Sequence, residues 1–214
     1  MSQKLVAVAL VVGLAGSATV AEVPADVQRL VERYESPDRI AWQMPSTVMR
    51  LLALEPGDRV ADLGTGSGYF LPRLALSVGS TGKVYAVDID QRMLDLIKSR
   101  PDMAAENIVT ILAKPDDPML PEDTMDVVLI VNTWHHIKDR AKYLKRLAAA
   151  LNPWGRVVLI DFREGPLPVG PPPAEKLSRD AVVNEFTKGG WTLGGESVAL
   201  PYQYYLVFEP PRGT

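Results

Sequence analysis

The chain of 214 residues contains no cysteine. That excludes disulfides, thiolate metal sites and a cysteine nucleophile, though it does not fix the compartment. Histidine is almost as scarce: there are two, and they are the neighbours His135 and His136. Adjacent side chains point in different directions and make a poor chelate, so no metal constellation stands out. Positive charge is not in excess either. Net charge is −3 and no block of lysine and arginine occurs, so a nucleic-acid partner has no electrostatic footprint. No internal repeat is visible.

Charge is also missing from Leu5 to Ala21. This run follows the short positive Met1-Ser2-Gln3-Lys4 and ends in the small residues Thr19-Val20-Ala21, the layout of a secretory signal peptide. As a helix it would reach about 26 Å, short of a full bilayer core. An uncleaved anchor or a buried element is the alternative. The expectation is therefore a signal over 1–21, export to the bacterial periplasm, and transient membrane contact through this segment. If it is not a signal, the protein is cytoplasmic.

What the chain does have is Val60-Ala61-Asp62-Leu63-Gly64-Thr65-Gly66-Ser67-Gly68-Tyr69-Phe70. An apolar strand ends in an acid, enters three alternating glycines and meets helix-forming sequence. Glycine takes positive φ and has no Cβ, so such a loop turns tightly and lets a ligand touch backbone. The helix that follows aims its first N–H groups at the same spot. A dinucleotide fingerprint, G-x-G-x-x-G, would place its last glycine where Tyr69 stands. A second apolar strand, Lys83 to Asp88, again ends in an acid, twenty residues after Gly68. A carboxylate there accepts the ribose hydroxyls of a nucleoside. The spacing favours a nucleoside cofactor over a mere turn and cap, and Tyr69 disfavours NAD.

With this loop and strand-end acid, the chain resembles the class I S-adenosylmethionine-dependent methyltransferases. It is most similar to the group that includes the quinone-biosynthesis C-methyltransferases, particularly bacterial members with an export signal. The resemblance implies an α/β fold: a Rossmann-like, doubly wound, seven-stranded sheet, mostly parallel with an antiparallel C-terminal strand and helices on both faces. It implies a domain over 22–214, with a helical cap at 22–54 and the Rossmann-like core at 55–214. It implies S-adenosyl-L-methionine as cofactor. Asp62 would hold the methionine ammonium, and Gly64, Thr65, Gly66, Gly68 and Tyr69 would border the methionine end. Asp88 would take the ribose, while Ile89 and Met93 would pack on adenine. Asp116 or Asp117 would face the adenine amino group, although an acidic, proline-flanked turn also reads as a solvated loop. Asn132, at the end of strand four, would face the transferred methyl.

Periodicity fills in the rest. Val27, Leu30, Val31 and Tyr34 share one helical face, as do Leu71, Leu74, Ala75 and Val78. Helices ahead of strand one commonly close over the cofactor in this family, so Tyr34, Trp42 and Gln43 are candidate pocket residues, with core packing as the alternative. Asp126 to Val131 suits a central parallel strand. It leads into His135 and His136, and ligands of open α/β sheets sit at the carboxyl ends of strands. Either histidine is a candidate base, because imidazole takes a proton near neutral pH; a helix cap or packing residue is the alternative. Asn152-Pro153-Trp154-Gly155 reads as a turn into strand five, Arg156 to Asp161. The proline-rich 164–173 reads as a substrate-side rim or a plain linker. The last two strands, Thr192 to Leu200 and Tyr204 to Glu209, form an antiparallel hairpin.

Two functions from different classes fit. One is a methyltransferase acting on a small-molecule or lipid-like acceptor. The other is an exported protein that binds a nucleoside or similar ligand on the same fold without transfer. No Asn-Pro-Pro-Tyr-type motif follows strand four, which argues against amino methylation of adenine or glutamine by that route.

Overall fold

The computed structural model describes residues 23–211. The expected signal at 1–21 lies outside them. Among the described residues, no helix is long and apolar enough to cross a membrane.

Three helices come first: α1 (Ala25–Tyr34), α2 (Arg39–Gln43) and α3 (Pro45–Leu52). Then strand and helix alternate as β1 (Arg59–Leu63), α4 (Leu71–Val78), β2 (Lys83–Asp88), α5 (Gln91–Ser99) and β3 (Ile108–Leu112). The second half holds β4 (Met125–Val131), α6 (Arg140–Ala150), β5 (Leu151–Phe162), α7 (Arg179–Lys188), β6 (Thr192–Ser197) and β7 (Gln203–Glu209). The strands form one sheet in the order β3-β2-β1-β4-β5-β7-β6. All pairings are parallel except those of β7, which is antiparallel to both β5 and β6. The doubly wound sheet with one reversed strand is thus as the sequence implied.

Strand side chains alternate between faces, and both faces are apolar. Val60, Val84, Ala86, Val127 and Leu129 pack under α3, α4 and α5 with Leu71, Leu74 and Val78. Ala61, Leu63, Val128 and Ile130 pack against α6 and α7 through Leu144, Leu147 and Phe186. Such two-sided burial is why these strands read as continuous apolar runs. The same alternation puts Asp62 on the face of Val60 and Asp88 on the face of Ala86. The two strand-end acids therefore share one side of the sheet. Chain order reverses between β1 and β4, so the crevice of the fold opens at their carboxyl ends.

Helix starts follow local chemistry. Asp90 caps α5 by accepting from Arg92 N, Asp139 caps α6 through Lys142 N, and Ser178 caps α7 through Ala181 N. One expectation is corrected. The segment 152–155 is not a turn but part of β5, which begins at Leu151 pairing with Met125. The ladder absorbs the irregularity as a register shift between Met125 and Val127, so turn-forming residues here make a bulge rather than ending the strand.

Candidate active site

The glycine loop leaves β1 in a conformation that demands glycine. Gly64, Gly66 and Gly68 have φ of 72°, 53° and 85°, in the region where a Cβ is penalised. Space is short as well. A Cβ on Gly64 would overlap the Thr133 side chain, and one on Gly68 would come within 2.7 Å of the Met103 thioether. The loop is tied to β2 by Gly64 N and Thr65 N, which donate to Val87 O at 2.8 and 3.0 Å.

Two carboxylates frame it. Asp62 is buried and accepts from Thr65 Oγ1 at 2.8 Å. Burial pushes its pKa up to about 6, against the Thr65 hydrogen bond and the nearby Arg39 cation, and Asp88 adds to the rise. Asp88 accepts from Gly66 N at 2.8 Å and from Asp90 N at 2.9 Å, one on each oxygen. Burial raises its pKa and those two N–H groups oppose the rise. Each oxygen keeps a second lone pair for a ligand hydroxyl.

The cap closes this region from above. Tyr34 stands 3.3 Å from the position of a Cβ on Gly66. The Arg39 guanidinium lies 4.0 Å over the Tyr69 ring. Burial lowers the Arg39 pKa, against the favourable fields of Tyr69 and Asp62. Among the described residues, three buried polar atoms here have no hydrogen-bond partner: Arg39 Nε, Ser67 Oγ and Tyr69 Oη. Buried polar atoms are rarely left unpaired unless a ligand, ion or water takes them.

The second half of the site stands at the tips of β4 and β5. His135 Nδ1 lies 2.9 and 3.0 Å from the two Asp161 oxygens, with side chains 4% and 3% exposed. A carboxylate only accepts, so Nδ1 carries the hydrogen and the lone pair of a neutral ring falls on Nε2. Asp161 also accepts from Phe162 N at 2.8 Å. His136 has its ring 4.1 Å from that of His135. Burial lowers its pKa, and the neighbouring His135 ring adds to the drop. The structure thus distinguishes two histidines that the sequence left equivalent.

Other candidates are placed as follows. Ile89 is 64% exposed beside Asp88 and offers a free apolar face. Met93 instead packs with Val27 and Leu96 in the seam between α1 and α5, which removes it from the nucleoside side. Asp116 is exposed and paired with Lys142, while Asp117 meets Arg146 Nε at 3.2 Å and Met119 N at 2.8 Å. Both acids are drawn toward the basic face of α6. Asn132 has φ 54° and its amide is engaged by Gln43 and Gln203. Trp42 packs on Phe162, ring centroids 5.5 Å apart. Sequence reasoning assigned no role to Arg39, Ser67, Asp161 or Gln203. Asp161 carried the signal used for Asp62 and Asp88, an acid closing an apolar strand.

Residues 60–155 match the model of a methyltransferase domain family. Over that stretch the chain is similar to methyltransferase domains, and its strand order has the class I methyltransferase architecture. A class I methyltransferase sheet is also what the comparison with solved structures returns. An S-adenosylmethionine-dependent methyltransferase from Aquifex aeolicus superposes with a TM-score of 0.79 at 26% identity, covering 86% of this chain and 98% of that one. Among curated relatives, the ubiquinone/menaquinone biosynthesis C-methyltransferase of Vibrio campbellii is 31% identical over 109 residues, 50% of this chain and 42% of its own. The 27-O-demethylrifamycin SV methyltransferase of Amycolatopsis mediterranei is 28% identical over 135 residues, 62% of this chain and 46% of its own. The chain spans less than half the length of these curated relatives. The matched domain holds the glycine loop, Asp88 and both histidines; Asp161, Arg39 and Gln203 lie outside it.

Proposed function

We propose that the protein transfers a methyl group from S-adenosyl-L-methionine to a small-molecule or lipid-like acceptor bearing a protonated nucleophile. The observation that carries this reading is the oriented His135–Asp161 pair at the same sheet end as the glycine loop and Asp88. The residues fit the cofactor: three glycines at positive φ admit its amino-acid end, and Arg39 Nε, Ser67 Oγ and Tyr69 Oη are unpaired polar atoms beside it.

When bound, S-adenosylmethionine supplies a methyl on a positive sulfur that is already a good leaving group. The protein's part is alignment and proton removal. Asp62, with Thr65, holds the ammonium end directly or through water. Gly64, Gly66 and Gly68 let that end approach backbone, and Arg39, held over the Tyr69 ring with Nε unpaired, would meet the cofactor's carboxylate. Asp88 accepts the ribose hydroxyls on its remaining lone pairs. Ile89 covers adenine, with Asp116 and Asp117 at its outer edge. Asn132 borders the methyl side through the β4 tip. His135 Nε2 takes the acceptor's proton while Asp161 holds the ring in register, and His136 supports the wall beside it.

A ligand-binding protein without turnover needs no buried, oriented base, so the dyad favours transfer over that alternative. Calorimetry with S-adenosylmethionine and S-adenosylhomocysteine tests the reading, and binding of neither sinks it. Export remains part of the proposal, supported by the uncharged run from Leu5 to Ala21. The N-terminus of the protein recovered from its host, read by mass spectrometry, tests that part.

A further inference from the structure

Three buried or half-buried amides form a closed ring. Gln43 Nε2 donates to Gln203 Oε1 at 2.9 Å, Gln203 Nε2 donates to Asn132 Oδ1 at 2.6 Å, and Asn132 Nδ2 donates to Gln43 Oε1 at 3.4 Å. Each amide gives one hydrogen and takes one. Gln43 and Gln203 are both 0% exposed, so neither can exchange its partner for solvent. The ring joins three distant pieces of chain: α2, the exit from β4 and the start of β7.

Each member has a tie to the site. Gln43 Oε1 also accepts from Arg39 Nη2 at 3.3 Å. Asn132 holds a left-handed turn, donates its N–H to Ile160 O at 2.8 Å, and stands three residues before His135. Gln203 is the β7 partner of Phe162, the residue after Asp161. With five residues, α2 is far too short to hold itself as a helix, so its position depends on what grips it. It is gripped also by the Trp42–Phe162 ring contact and by Arg39, which stacks over Tyr69 and donates to Tyr34 O.

We infer that the Gln43–Gln203–Asn132 ring latches α2, and Arg39 with it, onto the tips of β4 and β5. Gln203 is therefore a positioning residue for methyl transfer, although it lies on β7 and its amide is satisfied by other amides. This rests on the cofactor reading above for its effect on binding, and on geometry alone for the latch.

The test uses the full chain and two near-isosteric variants, Gln203→Met and Gln43→Met. Backbone hydrogen exchange is followed over 39–43 and over the central strands, and S-adenosylhomocysteine affinity is measured by calorimetry. The expected result is exchange over 39–43 at least about ten-fold faster with the central strands unchanged, and affinity weaker by about ten-fold. Unchanged exchange over 39–43 in both variants overturns the latch. Faster exchange with unchanged affinity overturns the positioning role. A lower melting temperature with neither change is what a merely structural amide would give, and counts against the proposal. Should Gln203→Met not fold, Gln43→Met breaks the same ring from the cap side. If the unsubstituted protein binds no S-adenosylhomocysteine, the cofactor reading fails, and the exchange arm still decides whether the ring holds α2.

Discussion

His135 Nδ1 and the Asp161 carboxylate lie 2.9 Å apart with almost no solvent on either side chain. This fixes the imidazole in one orientation before any acceptor arrives. A positioned base contributes roughly 10²–10⁴-fold to proton removal. His135→Ala should therefore lower kcat by at least about 10²-fold while leaving S-adenosylhomocysteine affinity within about two-fold, since the ring does not grip the nucleoside. Asp161→Asn can donate to Nδ1 and favours the wrong tautomer, so it should lose activity nearly as far. Steady-state kinetics and calorimetry on the same preparations separate this from misfolding. Full activity in His135→Ala would remove the base.

Asp62 gives a pH dependence with a defined sign. Burial lifts its folded pKa to about 6 from an ordinary 3.8, so the folded state holds that proton more tightly than the unfolded one. Its favourable contribution is complete below the ordinary value and is lost as pH rises to about 6. The displacement corresponds to a cost of about 3 kcal/mol at neutral pH. Asp62→Asn should then melt above the unsubstituted protein at pH 7.5, with the difference closing toward pH 4. Affinity for the cationic S-adenosylmethionine should move the other way and fall as pH drops through about 6. Thermal melts and titrations across that range check both.

Arg39 carries the opposite charge over the same loop. Its Nε has no partner among the described residues, and its Nη1 donates to Tyr34 O. Removing it leaves Asp62 without its nearby cation and the cap without one tie. Arg39→Met should weaken S-adenosylhomocysteine by about 1.5–3 kcal/mol, the range for hydrogen bonds to charged groups. Unchanged affinity would place the ligand's carboxylate elsewhere.

Asp88 is less free than its position at a strand end suggests. It binds Gly66 N and Asp90 N as well as offering lone pairs outward. Asp88→Ala should weaken nucleoside binding by about 1.5–3 kcal/mol. Asp88→Asn keeps one accepting oxygen and should lose less. Calorimetry with S-adenosylhomocysteine and with adenosine reads the ribose contact apart from the methionine end.

Most of the sheet was legible because its strands are buried on both faces and end in acids, as Val60 to Asp62 and Lys83 to Asp88 show. Asp90 and Ser178 are residue types that cap helices, and capping is a local interaction that sequence alone carries. Leu151 to Gly155 was not: Asn152, Pro153 and Gly155 favour a turn, while pairing of Leu151 with Met125 from a distant strand extends β5. Met93 fits its helical stripe, but no stripe says that the partner is Val27 rather than a ligand. The amide ring was beyond reach for the same reason, since Gln43 and Gln203 lie 160 positions apart. Contacts of that range are written in the fold alone.

Two glycines separate backbone strain from crowding. Gly64 and Gly79 both sit at positive φ, 72° and 65°. A Cβ on Gly79 meets nothing within 4 Å, whereas on Gly64 it overlaps Thr133. Gly79 has ψ −172°, an extended positive-φ conformation kept essentially to glycine, so Gly79→Ala should cost backbone strain alone, about 1–3 kcal/mol. Gly64→Ala carries a positive-φ strain of its own and must also displace the Thr133 side chain, whose hydroxyl donates to Val131 O at 3.0 Å. The crowding should add at least about 1 kcal/mol to its backbone strain, within the range for overpacking. Adding Thr133→Ser to Gly64→Ala removes one of the crowding carbons and should recover part of the excess. Denaturant unfolding of the three variants reads these differences. No recovery on adding Thr133→Ser would mean that the loop yields without cost, and that Thr133 does not fix the floor of the site.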